Sequence, residues 1–127
     1  MPKESKKILI VEDEASILRL LSDRFTSEGF IVLEAKNGEE GLKSALENHP
    51  DLVLIDIIMP VLDGIAMLKK LRRDSWGKNV PAIMLTNLSD SAKIAEVLES
   101  GAYDYLVKAD CKLEDIVKRV KEKLGIL

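Results

Sequence analysis

The sequence predicts a parallel α/β domain, and three observations carry that prediction. Short runs of apolar residues recur five times, and between them lie segments whose apolar residues fall at helical spacing. Two of the runs, Ile8-Leu9-Ile10-Val11 and Leu52-Val53-Leu54-Ile55, show no inside-outside alternation, the pattern of strands buried on both faces of a covered parallel sheet. Both also end abruptly in acid, the first in Glu12-Asp13-Glu14 and the second in Asp56. Carboxyl ends of parallel strands open onto the crevice where such sheets bind ligands, so Glu12, Asp13 and Asp56 are expected to share one pocket.

Taken in order, the first strand is followed by a helix over residues 14–28 with Ile17, Leu18, Leu21 and Phe25 facing inward, ended by Gly29 in a left-handed conformation. Phe30-Ile31-Val32-Leu33 is the second strand. Asn37 caps the second helix, Glu40 completes a capping-box pattern, Leu42, Ala45 and Leu46 point inward, and Pro50 closes the segment. The third strand, 52–55, leads through a loop punctuated by Pro60 and Gly64 to a helix striped by Ile65, Leu68 and Leu71. Asp63 is expected to cap that helix, and Glu14 to be a solvated first-turn acid of the first one. Trp76-Gly77-Lys78-Asn79 turns the chain back to the fourth strand, Ala82–Leu85, which stops at Thr86. Ser89 or Asp90 caps a fourth helix carrying Ile94, Val97 and Leu98 and ending at Gly101. The fifth strand, Tyr103–Val107, stops at Lys108, and a last helix carries Leu113, Ile116, Val117, Val120 and Leu124.

Strands alternating with helices make βαβ units with right-handed crossovers and helices on both faces. Five strands and five helices suit the flavodoxin-like order 2-1-3-4-5, in which the chain changes direction between strands 1 and 3. Those are the two strands that end in acid. His49 and Trp76 fall on the opposite edge, where His49 is expected to be a solvated helix terminus.

At 127 residues the chain fits one domain, residues 1–127 with a core over about 7–124, and can bury about two thirds of its unfolded surface. The composition, 46% apolar and 32% charged, argues against disorder or a fibrous repeat. Lys and Arg are dispersed among acids at a net charge of -3, so direct nucleic-acid binding is not expected. The single Cys111 forms neither an intrachain disulfide nor a cysteine zinc site. The first residues lack a signal-peptide apolar core, and no segment approaches the ~20 apolar residues of a membrane span, so a cytoplasmic location away from membrane is expected.

Side by side, the strand ends present Glu12 and Asp13, Asp56, Thr86 and Lys108. Carboxylates at close quarters repel, and a hard divalent cation neutralises them. A cation, an oxygen nucleophile, a hydroxyl donor and a fixed ammonium are the inventory of phosphoryl transfer to a carboxylate, with Asp56 central.

Glu12-Asp13, the segment Asp56-Ile57-Ile58-Met59-Pro60-Val61-Leu62-Asp63-Gly64, Thr86, and Gly101-Ala102-Tyr103-Asp104-Tyr105-Leu106-Val107-Lys108 together resemble the receiver domain of two-component response regulators, from Lys7 to Leu124. The resemblance implies a phosphoacceptor switch rather than a turnover enzyme. Asp56 would take a phosphoryl group from a sensor histidine kinase, a phosphotransfer protein or a small phosphodonor. Mg²⁺ (or Mn²⁺) would be held by Asp13, Asp56 and the backbone carbonyl of Ile58, with Glu12 acting through metal-bound water. Lys108 would contact a phosphoryl oxygen, Thr86 would swing toward the phosphate and Tyr105 would follow it inward. The face of the fourth helix, fifth strand and last helix, with Lys93, Tyr105, Lys112 and Lys118, would then meet an effector protein, an output domain or a second copy in a phosphorylation-dependent homodimer.

Two departures from the family pattern matter. Lys108 is followed by Ala109 instead of proline, and a cis bond there would cost about 3 kcal/mol, so a trans bond is expected. Ile58 and Leu88, at positions flanking the acyl phosphate in relatives, are aliphatic and would not orient an attacking water, which predicts a long-lived phosphorylated state. The competing readings are a receiver-like module that binds without phosphorylation, a small metal-dependent phosphatase, and a flavin-binding carrier. Glu12-Asp13-Glu14 argues against the carrier, because three acids after strand 1 would repel a cofactor phosphate.

Overall fold

The computed structural model describes residues 6–56, 62–86, 99, 104–107 and 112–126. Its elements are β1 (Lys7–Val11), α1 (Ala15–Ser27), β2 (Ile31–Ala35), α2 (Gly38–Asn48), β3 (Leu52–Asp56), α3 (Gly64–Arg72), β4 (Ala82–Thr86), β5 (Asp104–Val107) and α4 (Leu113–Lys123). The strands form one sheet in the order β2-β1-β3-β4-β5, with every neighbouring pair parallel. This is the expected flavodoxin-like order, with its change of direction between β1 and β3. Four helices are described. The fourth predicted helix lies outside the described residues except for Glu99, which is helical, and α4 is the predicted last helix.

Unbroken apolar runs form β1 and β3 because both strands are covered twice. Leu9, Val11, Val53 and Ile55 pack on one face with Ala45 of α2 and Ile65, Met67, Leu68 and Leu71 of α3. Ile8, Ile10, Leu52 and Leu54 pack on the other with Leu18, Leu21 and Phe25 of α1 and Ile116, Val117 and Val120 of α4. Each such fully buried aliphatic side chain stabilises the fold by about 1.5–3 kcal/mol, which makes the strand centre rigid and fixes where the strand ends stand.

Several local expectations hold. Gly29 takes φ +95 after α1, and Asn37 caps α2 by accepting from the Glu40 amide at 2.9 Å. The Glu40 carboxylate reaches the Lys36 amide and the Asn37 side-chain amide, both at 3.3 Å, in place of the capping-box bond to the Asn37 amide. Asp63 accepts from the Ala66 amide at 2.8 Å and caps α3. Besides that replaced capping-box bond, three details differ. Leu46 is exposed, and the inward face of α2 is made of Gly38, Gly41 and Ala45, which let the helix approach the sheet more closely than leucines would. Ser22 is buried on α1, where its hydroxyl donates to Glu34 Oε2 at 2.5 Å and so enters the interior hydrogen-bonded. The second strand begins at Ile31 and runs to Ala35, because Phe30 turns inward and packs edge-on against Phe25. Among the described residues, no helix is long and apolar enough to cross a membrane.

Candidate functional site

The register of β1 and β3 pairs Val11 with Ile55, so the acids that follow each run emerge side by side at the carboxyl edge. Carboxylate oxygens of Glu12, Asp13 and Asp56 all lie within 4.8 Å of one another. Glu12 is 1% exposed and Asp56 7%, whereas Asp13 is open to solvent. The Glu12 amide donates to Ala35 O at 3.0 Å, extending the β1–β2 ladder by one residue. Its carboxylate folds back to accept from the Glu14 amide at 3.2 Å, near the amino end of α1, where the helix dipole favours an anion. Glu14 itself is the exposed amino-terminal boundary of α1 and makes no side-chain cap.

Three negative groups at this spacing, two of them buried, concentrate charge that a divalent cation would relieve. All the donors are hard carboxylate oxygens, one on the solvent side and two within the crevice, a set that fits Mg²⁺ or Mn²⁺. Thr86 ends β4 and pairs in register with Val107 of β5, which places its backbone on the same edge. Asp56 pairs with Leu85, one residue before Thr86. Tyr105 lies on β5 opposite Met84. Ile58, Leu88, Lys93, Lys108, Ala109 and Cys111 lie outside the described residues, as do the side chains of Thr86 and Tyr105.

The family model for the response regulator receiver domain matches residues 8–121. The chain belongs to that family. It is 42% identical over 120 residues to the transcriptional regulatory protein SrrA of Staphylococcus aureus, covering 94% of this chain and 48% of SrrA. It is 41% identical over 123 residues to the probable transcriptional regulator ycf27 of Porphyridium aerugineum, covering 92% of this chain and 50% of that protein. This receiver domain thus spans about half the length of the curated relatives it matches. Among solved structures, the chemotaxis response regulator CheY4 of Vibrio cholerae superposes with a TM-score of 0.87 at 31% identity, over 94% of this chain and 98% of that one. The receiver domain of sensor histidine kinase PA1611 from Pseudomonas aeruginosa, solved with a magnesium ion coordinated in its active site cleft, gives 0.87 at 28% identity over 95% and 98%.

Two contacts at this edge escape a reading of side-chain chemistry because they involve residues with no side chain. A Cβ on Gly64 would stand 2.3 Å from the Asp56 carbonyl oxygen, and one on Gly38 would stand 2.1 Å from that of Leu62. The only sequence signal was the presence of glycine beside a capping residue at each place. The amino edge differs. There His49 takes φ 47 at the end of α2 and stacks its ring on Trp76, centroids 4.2 Å apart and planes 10° from parallel. His49 is therefore a stacked partner as well as a helix terminus, a pairing that residues so far apart in the chain do not announce. A cavity of about 450 Å³ opens beside the pair, lined by Pro50, Asp51, Asn79 and Val80 among others.

Proposed function

We propose that this receiver domain is a phosphorylation switch whose acceptor is Asp56. The observation that carries the proposal is the meeting of three carboxylates within 4.8 Å at the ends of adjacent strands in a chain of this family. A carboxylate oxygen of Asp56 attacks phosphorus, the bond from phosphorus to the donor's leaving atom breaks, and a histidine nitrogen or an acetate oxygen departs with that electron pair. Glu12, Asp13 and Asp56, with the backbone carbonyl of Ile58, would hold Mg²⁺ or Mn²⁺. The ion supplies charge neutralisation for an incoming anion.

Burial of Glu12 and Asp56 keeps water sparse around the acceptor and strengthens every electrostatic contact made there. Lys108 holds a phosphoryl oxygen, and the Thr86 hydroxyl donates to another. The Tyr105 ring then turns inward, so that up to two new negative charges at one edge are read out along β5. The fourth predicted helix, β5 and α4 present the change to an effector protein, an output domain or a second copy. A sensor histidine kinase or phosphotransfer protein is the donor, and the setting is the cytoplasm. The role is signalling without substrate turnover, performed by a single receiver domain over residues 1–127.

The test is incubation with acetyl phosphate and Mg²⁺ followed by intact mass. One phosphoryl adduct is expected, lost in Asp56→Asn and in the absence of the metal. A chain that takes no adduct would be a passive interaction module, and sustained release of phosphate from added phosphoesters would make it a phosphatase. Substituting Ile58→Asn and Leu88→Glu is expected to hasten decay of the adduct, and unchanged or slower decay would remove the argument for a long-lived switch.

A further inference from the structure

We infer that Gly38, at the start of α2, is a positioning residue for Asp56. The inference rests on Asp56 being the phosphoacceptor. The Gly38 amide donates to the Leu62 carbonyl at 3.0 Å, and a Cβ on Gly38 would lie 2.1 Å from that same oxygen and 3.0 Å from the Leu62 Cβ. Leu62 is followed directly by Asp63, whose carboxylate accepts from the Ala66 amide at 2.8 Å and whose carbonyl accepts from the Met67 amide at 2.9 Å. Next comes Gly64, packed so tightly on β3 that a Cβ there would lie 2.3 Å from the Asp56 carbonyl oxygen and 2.9 Å from Ile55 Cγ2. The first turn of α2, the Leu62 carbonyl, the start of α3 and the backbone of Asp56 therefore stand in unbroken contact.

The same helix is seated against the other acid-bearing strand. A Cβ on Gly41 would lie 2.8 Å from Cγ2 of Val11, the residue before Glu12. One helix thus touches both Leu62, two residues before Gly64, and the side chain of Val11, the residue before Glu12. Close-packed interiors transmit displacement instead of absorbing it. A methyl group at position 38 would force Leu62 to retreat by roughly 1 Å to regain van der Waals distance, and the shift would pass through Asp63 and Gly64 to Asp56.

Gly77 supplies a matched control. A Cβ there would lie 2.3 Å from the Leu71 carbonyl oxygen, an overlap of the same kind at the opposite edge of the sheet. The experiment compares the initial rate of phosphoryl uptake from acetyl phosphate and Mg²⁺, by intact mass, in the wild type, Gly38→Ala and Gly77→Ala, each normalised to its folded fraction. The expected result is a loss of about 10-fold to 100-fold in Gly38→Ala, the scale on which an ångström of misplacement is felt, with Gly77→Ala at the wild-type rate. Equal slowing in both variants, or none in Gly38→Ala, overturns the inference while leaving Asp56 as acceptor. A wild type that takes no phosphoryl group overturns the acceptor reading and the inference with it. If Gly38→Ala does not fold, Asp63→Ala breaks the same connection by removing the cap of α3, and Asp63→Asn restores an accepting oxygen without the charge. Slowing in Asp63→Ala with recovery in Asp63→Asn supports the connection, and wild-type rates in Asp63→Ala overturn it.

Discussion

The two edges of the sheet space their acids differently. At the amino edge, Asp51, Asp74 and Glu28 each meet donors. Asp51 accepts from the Lys7 amide at 2.7 Å, Asp74 accepts from the Trp76 and Gly77 amides at 2.9 Å each, and Glu28 takes Lys121 at 2.5 Å and Arg24 at 3.1 Å. Arg72 holds the turn that carries Trp76 by donating to the Gly77 and Val80 carbonyls. At the carboxyl edge, Glu12, Asp13 and Asp56 crowd their oxygens within 4.8 Å. Glu12 also accepts from the Glu14 amide at 3.2 Å, so what sets the carboxyl edge apart is the proximity of like charges. Like charges at that spacing repel, a cost that a bound divalent cation would relieve.

The largest test of this contrast sets the two edges against each other in urea denaturation. Mg²⁺ at roughly 100 times its dissociation constant is expected to stabilise the wild type by about 2.7 kcal/mol relative to chelator, and Asp13→Asn is expected to lose most of that gain. In chelator the same Asp13→Asn is expected to be more stable than wild type by about 1 kcal/mol, because it removes one of three like charges at a solvent-exposed position. Asp51→Asn is expected to be less stable by about 1–2 kcal/mol and to keep the full Mg²⁺ increment, because it weakens a charged acceptor on the Lys7 amide. A destabilised Asp13→Asn in chelator would show that repulsion among the three carboxylates does not dominate at this edge.

A smaller effect is expected from pH. The Lys121 ammonium, and after it the Arg24 guanidinium, hold the Glu28 carboxyl below its ordinary value of 4.5. A carboxyl whose folded value is depressed contributes stability that is present above its unfolded value and is lost as pH falls through the folded one. Glu28→Gln should therefore lower the thermal midpoint at neutral pH, with the gap to wild type closing below about pH 4.5 as both chains carry a neutral side chain. A gap that persists unchanged in acid would mean that the clamp between α1 and α4 acts through packing.

The smallest effect expected is none. Trp76 stacks on His49 at the edge away from the carboxylates, so its fluorescence is expected to ignore Mg²⁺ and acetyl phosphate, while His49→Ala alters it by removing the stacked ring. A strong Mg²⁺-dependent quench would show that the two edges communicate.

The order of elements, the parallel sheet and the acids at the ends of β1 and β3 were legible from local pattern. Strand and helix periodicities differ, and an apolar run without alternation has few ways to be buried other than between two layers of helices. The caps at Asn37 and Asp63 were legible for the same reason, since they involve partners three residues away. Packing across the chain settled the rest. Leu46 points outward because α2 docks through Gly38, Gly41 and Ala45, and a count of large apolar residues cannot register a face chosen for its smallness. His49 meets Trp76, and Lys121 meets Glu28, across separations that no local rule spans. At the site itself, residue types announced an acidic crevice, but the 4.8 Å spacing and the contact of Gly64 with the Asp56 backbone depend on strand register and on how closely two helices approach the sheet. Local chemistry dictates which groups stand at a strand end; the distance between them is set by the close packing of everything behind them.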